Sequence, residues 1–251
     1  AGQVTGHSRA DGLIRLMPAV FVLIWSTGFI VARYGMPNSP PFKFLVVRYG
    51  LSILCFLPWI WGARVKWPQT GSQWLHLCVT GLLMHAGYLG GVWAAVKAGM
   101  GSGLAALIVG VQPILTAIWL SMLGNSGVGG PVNRRQWMGL TLGFAGLAMV
   151  VSRKFGESSP GDMVNSVNLA CALGALVSIT AGTLYQKQFV RPCDVRSANT
   201  VQLMAAFFVT LPLCLAALAL APTRLACFEQ GDARRPVFDG LGFTLLCAFL
   251  L

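Results

Sequence analysis

Acidic residues are what this chain has least of. Seven Asp and Glu occur in 251 residues, and charged residues of both signs make up 10% of the total. A soluble domain carries about a quarter, so this composition cannot supply a water-facing surface of ordinary size. The seven cysteines are scattered singly with no Cys-x-x-Cys, which excludes a disulfide framework. The thirty glycines follow no fixed period, which excludes a collagen-like chain. His7, His76 and His85 include no pair at metal-ligand spacing, so no metal site is expected. No Gly-x-Ser-x-Gly occurs. Gly99-Met100-Gly101-Ser102-Gly103 lacks the Gly-Lys-Ser/Thr ending of a phosphate loop and reads as a helix break. These absences imply neither enzyme activity nor a cofactor.

What fills the chain instead is apolar sequence: 55% of residues are hydrophobic and the mean hydropathy is +0.69. A membrane span needs about 20 mainly apolar residues. Seven such runs appear, at Leu16 to Arg33, Phe44 to Trp61, Trp74 to Val96, Gly103 to Leu123, Trp137 to Val151, Val167 to Gln186 and Val201 to Leu220. The fifth is short at its strict apolar core. An eighth, Leu241 to Leu251, covers about half a span. The connectors are turn-rich and charged, and none is long enough to fold independently. The reading is an all-α polytopic membrane protein, a multi-helix transmembrane bundle in a lipid bilayer.

The net charge of +11 fits that reading. Lys and Arg cluster between the apolar runs, where they meet lipid headgroups, and no basic stretch is suited to nucleic acid. The first fifteen residues are polar and show no signal-peptide pattern. Counting cations on alternate sides gives nine on the N-terminal side against eight. Without the charge-dense Thr223 to Gly240 the count is nine against five, which places the N-terminus in the cytoplasm. That charge-dense approach to an unfinished run predicts that the chain is truncated at its C-terminus. Small residues recur at Ala170, Gly174, Ser178 and Gly182, at Gly139 and Gly143, and at Ala106 and Gly110. They predict close helix packing, with a homodimer face as the alternative.

Several strings resemble a known family. Leu23-Ile24-Trp25-Ser26-Thr27-Gly28-Phe29 is similar to the opening signature of EamA-type members of the drug/metabolite transporter superfamily. Val47-Arg48-Tyr49, the stretch Gly103 to Pro113, Gly139 to Gly146 and the stretch Ile179 to Lys187 are similar to later helices of that family. The resemblance covers about Leu16 to Leu220. It implies two five-helix repeats inserted in opposite senses, with the substrate cavity between them. Residues 1–15 then form a polar lead, 16–152 a first repeat, and 166–251 a partial second repeat of two helices and a fragment.

All seven acids fall outside the complete spans, which disfavours carboxylate-coupled antiport of cationic drugs. Arg48 is the strongly charged group well inside an apolar run. It either snorkels or turns its guanidinium to a substrate carboxylate. His85 and Tyr88, with Trp93 beyond them, lie on neighbouring turns of the third run, as packing or cavity groups. Gln112 precedes Pro113, which is expected to remove a mid-helix hydrogen bond and free a carbonyl. Gln112, Pro113 and Thr116 are therefore cavity candidates. By the resemblance, Trp25, Ser26 and Thr27 would face Thr183, Tyr185 and Gln186 across the cavity. A polar, uncharged lining suits a small-molecule substrate that is neutral or zwitterionic. The expectation is a secondary transporter, exporting small polar metabolites such as amino acids across a bacterial inner membrane. The alternative is a non-transporting seven-helix receptor or assembly partner, disfavoured by connectors too short for signal output.

Overall fold

The computed structural model describes residues 7–35, 40–122, 133–156 and 164–219. The Thr223 to Gly240 stretch and the Leu241 to Leu251 run lie outside the described residues, as does most of the connector after the fourth run. The described residues are helical throughout apart from short turns. The helices are α1 (His7–Gly35), α2 (Pro41–Gly62), α3 (Gly71–Gly81), a π-helical turn (Leu82–Gly87), α4 (Tyr88–Lys97), α5 (Ser102–Val109), α6 (Gln112–Met122), α7 (Arg134–Gly156), α8 (Ser166–Phe189) and α9 (Val195–Ala219). Within them, six segments are long and apolar enough to cross a membrane: Leu16–Tyr34, Pro41–Gly62, Gly71–Lys97, Ser102–Met122, Ser166–Phe189 and Val195–Ala217. These coincide with six of the seven expected runs. The fifth run forms α7, which is 23 residues long but is not among the six. Its apolar centre is flanked by Arg134 and Arg135 at one end and Arg153 and Lys154 at the other.

The helix ends follow from local chemistry. Pro40 and Pro41 open α2, where a missing N–H costs nothing. The Thr70 hydroxyl accepts from the Gln73 amide at the start of α3. Asn165 and Asn168 cap α8 reciprocally, each side chain accepting from the other's backbone N–H. After α4 the chain reverses at Gly99, whose φ of 97° is accessible to glycine without strain. There Gly99 N–H donates to Val96 O and Met100 N–H to Ala95 O, closing the helix end.

Span three, Gly71–Lys97, is the hub. α8 runs antiparallel to it: Asn165 and Asn168 donate to Ala98 O at the end of α4, while Tyr185 meets His76 near the start of α3. α9 runs parallel to α3, with Ser197 Oγ donating to Lys66 O and the Gln202 backbone lying against Gly81. α2 closes the other flank, and its Leu45 and Tyr49 are fully buried with Leu77, Trp93 and Ala175. Outward faces stay apolar: Leu23 is 69% exposed and Trp61 83%. In a bilayer such side chains meet lipid tails, and close backbone approach takes over from the hydrophobic force in holding helices together.

The small-residue ridge departs from its expected line. A spacing of four residues advances about 40° around the helix per step, so Ala170, Gly174, Ser178 and Gly182 cannot all face one neighbour. The face packed on span three is Cys171, Ala175, Ser178 and Gly182, stepping four, three and four. A Cβ on Gly91 would lie 2.9 Å from Cys171 O and 3.0 Å from Ala175 Cβ. Gly174 is exposed, with open space where its Cβ would be.

Candidate functional site

Two irregularities interrupt the bundle halfway along their spans. Span three takes its π-helical turn at Leu82–Gly87, and span four breaks at Gly110-Val111 between α5 and α6. Non-helical backbone at membrane depth is tolerated where protein buries it or where it lines a cavity, and π turns recur at functional sites. In span three the displaced carbonyls find side-chain partners. Ser178 Oγ of α8 donates to Leu83 O at 2.8 Å, and Tyr49 Oη of α2 donates to His85 O at 2.9 Å. The break in span four corrects the expected role of Pro113. It stands in the first turn of α6, after the turn rather than inside a continuous helix, where a prolyl nitrogen has no bond to lose. Thr116 Oγ1 donates back to Gln112 O at 2.9 Å.

The candidate residues fall into three groups. Around the π turn, Arg48 of α2 places its guanidinium 5.9 Å from the centre of the Trp93 ring, a cation–π approach. Its charge also acts on Tyr49, His85 and Tyr88. Trp25 joins from α1, hydrogen-bonded to the Tyr88 hydroxyl and set edge-on to Phe29 at 5.4 Å. The His85 ring hydrogen-bonds with the side chain of Gln202 from α9. Four spans thus converge on one patch of polar and aromatic groups. Ser26 and Thr27 lie beside Trp25 in sequence but bond their own helix, to Val22 O and Ile24 O, and Ser26 is exposed.

The second group joins α6 to α8: Gln112 Nε2 donates to Thr183 Oγ1 at 3.0 Å, and that hydroxyl donates on to Ile179 O. The third sits at the start of α3 and the end of α8, apart from the first two. There Tyr185 Oη lies 2.8 Å from His76 Nδ1, and Phe189 stacks on the imidazole at 5.5 Å. A cleft of about 570 Å3 opens beside it, lined by residues that include Gln73, His76, Gln188 and Arg191. Gln186 is half-buried in the same last turns of α8, its carbonyl accepting from Val190 N–H. In the connector that follows, burial pushes the Cys193 thiol up from its ordinary value, with Asp194 adding to the effect.

Sequence reasoning did not select Tyr49, Gln202, Ser178 or His76 as site residues. Gln202 carried a signal, an amide near the start of the apolar run Val201 to Leu220. Tyr49 stood in the quoted Val47-Arg48-Tyr49 string. Ser178 belongs to the small-residue series that signals packing, and His76 has no second histidine at metal-ligand spacing.

With six segments among the described residues long and apolar enough to cross a bilayer, the chain is a multi-pass membrane protein. Residues 14–152 match the EamA-like transporter family, and the chain belongs to that family. It is 25% identical over 214 residues to a "Probable amino-acid metabolite efflux pump" of Escherichia coli K12. The aligned region covers 85% of this chain and 65% of that protein. The Salmonella typhimurium protein of the same name is 25% identical over 213 residues, with the same shares. An "Uncharacterized transporter" of Archaeoglobus fulgidus is 28% identical over 138 residues, 55% of this chain and 45% of that one. The chain thus spans just under two thirds of the length of the efflux-pump relatives. No solved structure matches the chain significantly.

Proposed function

We propose that the protein is a secondary transporter that exports small carboxylate-bearing metabolites, amino acids or close relatives of them, across a bacterial inner membrane. The observation that carries this reading is Arg48. Its guanidinium lies inside the bundle, 5.9 Å from the centre of the Trp93 ring, and its charge acts on His85 and Tyr88 beside it. A guanidinium offers a planar fork that matches a carboxylate, and the aromatic faces around it suit the rest of a small zwitterion. The printed name of the Escherichia coli and Salmonella relatives supports the substrate class. Gln112 and Thr183 supply a second polar element at the broken helix.

The N-terminus is cytoplasmic in this reading, and residues 16–152 and 166–251 belong to two oppositely inserted repeats. The antiparallel course of α8 along span three supports that arrangement, because the sixth span then enters in the opposite sense to the first. No step of the proposal involves catalysis. Counterflow tests the reading: proteoliposomes preloaded with unlabelled L-amino acids should take up a 14C-labelled L-amino-acid mixture saturably, and Arg48→Lys should lose most of that uptake. No saturable exchange by the wild type would overturn it.

A further inference from the structure

We propose that the cleft at the start of α3 and the end of α8 binds the phosphate of an anionic phospholipid from the surrounding bilayer. The proposal stands apart from the question of substrate and needs only that the chain crosses a membrane. The cleft has a volume of about 570 Å3. Its walls are the first residues of one membrane-spanning segment, Gly71–Lys97, and the last of another, Ser166–Phe189, with the turn that follows each end. Span ends stand at the depth of lipid headgroups. Trp67 and Trp74 mark the same depth, since indoles gather at the membrane interface. Their rings stack at 6.1 Å, and Trp74 Nε1 donates to Pro68 O. The polar patch around the π turn lies halfway along span three, away from this cleft.

The lining supplies a cation and several hydrogen-bond donors, and none of its residues is acidic. Arg191 contributes a guanidinium, whose planar fork matches a phosphate. The carboxylate three residues on, Asp194, pairs instead with Arg196 at 3.3 Å. Gln73 accepts from the Gln69 N–H through Oε1, which leaves its Nε2 hydrogens to donate. His76 is engaged by Tyr185 at Nδ1, which leaves Nε2 for a ligand. Thr70 Oγ1 takes the Gln73 amide, while the positive end of the α3 dipole adds to the attraction for an anion.

The apolar part of the cleft favours a lipid over a free anion. Phe189 and Val190 line one side, and Phe189 is 43% exposed. Leu173, Val177, Ala181, Leu184 and Gln188 step four, four, three and four along α8, and so share one face. That face is exposed or half-buried throughout. An acyl chain can follow it toward mid-membrane while the headgroup stays at Arg191, whereas inorganic phosphate gains nothing from it. Basic pockets between membrane helices suit such headgroups. A zwitterionic lipid brings its own cation against the guanidinium, so the cleft selects a headgroup with net negative charge.

The experiment is native mass spectrometry of the whole chain in detergent, titrated separately with phosphatidylglycerol, phosphatidylcholine and inorganic phosphate. The wild type should bind phosphatidylglycerol more tightly than either of the others. Arg191→Gln loses a charged hydrogen-bonding group and should weaken phosphatidylglycerol binding by about tenfold. Arg135→Gln, in the first turn of α7, removes the same charge outside the cleft and should leave that binding unchanged. Equal affinity of the wild type for the two lipids, or the same loss in both variants, would overturn the proposal. Tighter binding of inorganic phosphate than of phosphatidylglycerol would mark a free-anion site and overturn the lipid. If Arg191→Gln does not survive extraction, the wild type decides alone. A phosphatidylglycerol with a photoreactive diazirine on its headgroup should label residues 188–192, and labelling confined to other segments would overturn the site.

Discussion

Span three and α7 both carry glycines at close intervals, Gly81, Gly87, Gly90 and Gly91 in the first and Gly139, Gly143 and Gly146 in the second. In span three a Cβ at Gly81 would overlap the Gln202 backbone, and one at Gly87 would overlap Ser178. On α7 none of the three glycines has another element's atoms where its Cβ would be, among the described residues. Among the described residues, the same residue type therefore marks a fitted seam in one helix and a face without close neighbours in the other. The difference teaches that small residues permit backbone approach without requiring it. What brings two helices together is the full face, including the capping and hydrogen-bonding groups along it.

The largest effect should come from filling that seam. Gly81→Ala places a methyl group against backbone rather than against a flexible side-chain end, so the α9 contact must shift. Overpacking of this kind costs about 1–3 kcal/mol, seen as a lowered melting temperature and a smaller folded fraction after detergent extraction. Gly143→Ala on α7 should stay within about 0.5 kcal/mol of wild type. Equal loss in both would dissolve the contrast between the two helices.

Arg48→Lys comes next, on activity rather than stability. It keeps the charge while losing the planar fork. A hydrogen bond to a charged group is worth about 1.5–3 kcal/mol, so counterflow of the labelled amino acids should fall by about tenfold or more. Membrane insertion, read by protease protection, should be kept. Unaltered counterflow would return Arg48 to a snorkelling role.

At the end of the seam, Asn168→Ala removes both the bond to Ala98 O and half of the α8 capping box. The expected loss is about 1 kcal/mol, measured as a shift in melting temperature. Its counterpart on α7, Thr141→Ala, loses only bonds to its own helix, to Trp137 O and Met138 O, and should shift it little.

The smallest effect concerns the connector between α8 and α9. The thiolate is the reactive form of cysteine, and burial and Asp194 both hold the Cys193 pKa above its ordinary value. Maleimide labelling of Cys193 should therefore be slow at neutral pH and accelerate only at higher pH than for a free thiol. Asp194→Asn removes the lesser cause and should speed labelling modestly at a given pH. Labelling faster than that of a free thiol would contradict a raised thiol pKa.

Much of this molecule was legible along the chain because membrane insertion is decided by local composition. An apolar run of span length must form a helix, since lipid offers no partner for backbone groups. Gly99 and the Pro40-Pro41 pair act within a few residues, so the breaks they set were readable as well. Arg48, His85 and Tyr88 stood out as polar groups in apolar runs. What those runs could not reveal was where each polar group finds its partner. Tyr185 and Thr183 are two residues apart, yet one meets His76 on α3 and the other Gln112 on α6. Ser26 and Trp25 are neighbours, yet one bonds its own helix and the other reaches Tyr88.

The sequence by itself determined the all-helical membrane architecture, the span positions and the absence of acids from the complete spans, because each depends on a residue and its near neighbours. Tertiary structure alone decided which face of α8 packs on span three, where span three takes its π turn, and which side chains surround Arg48. Those outcomes depend on rotation and depth of one helix against another. A helix advances about 100° per residue, so a small change in register turns a lipid-facing group into a buried one, and only the packed bundle selects among the alternatives.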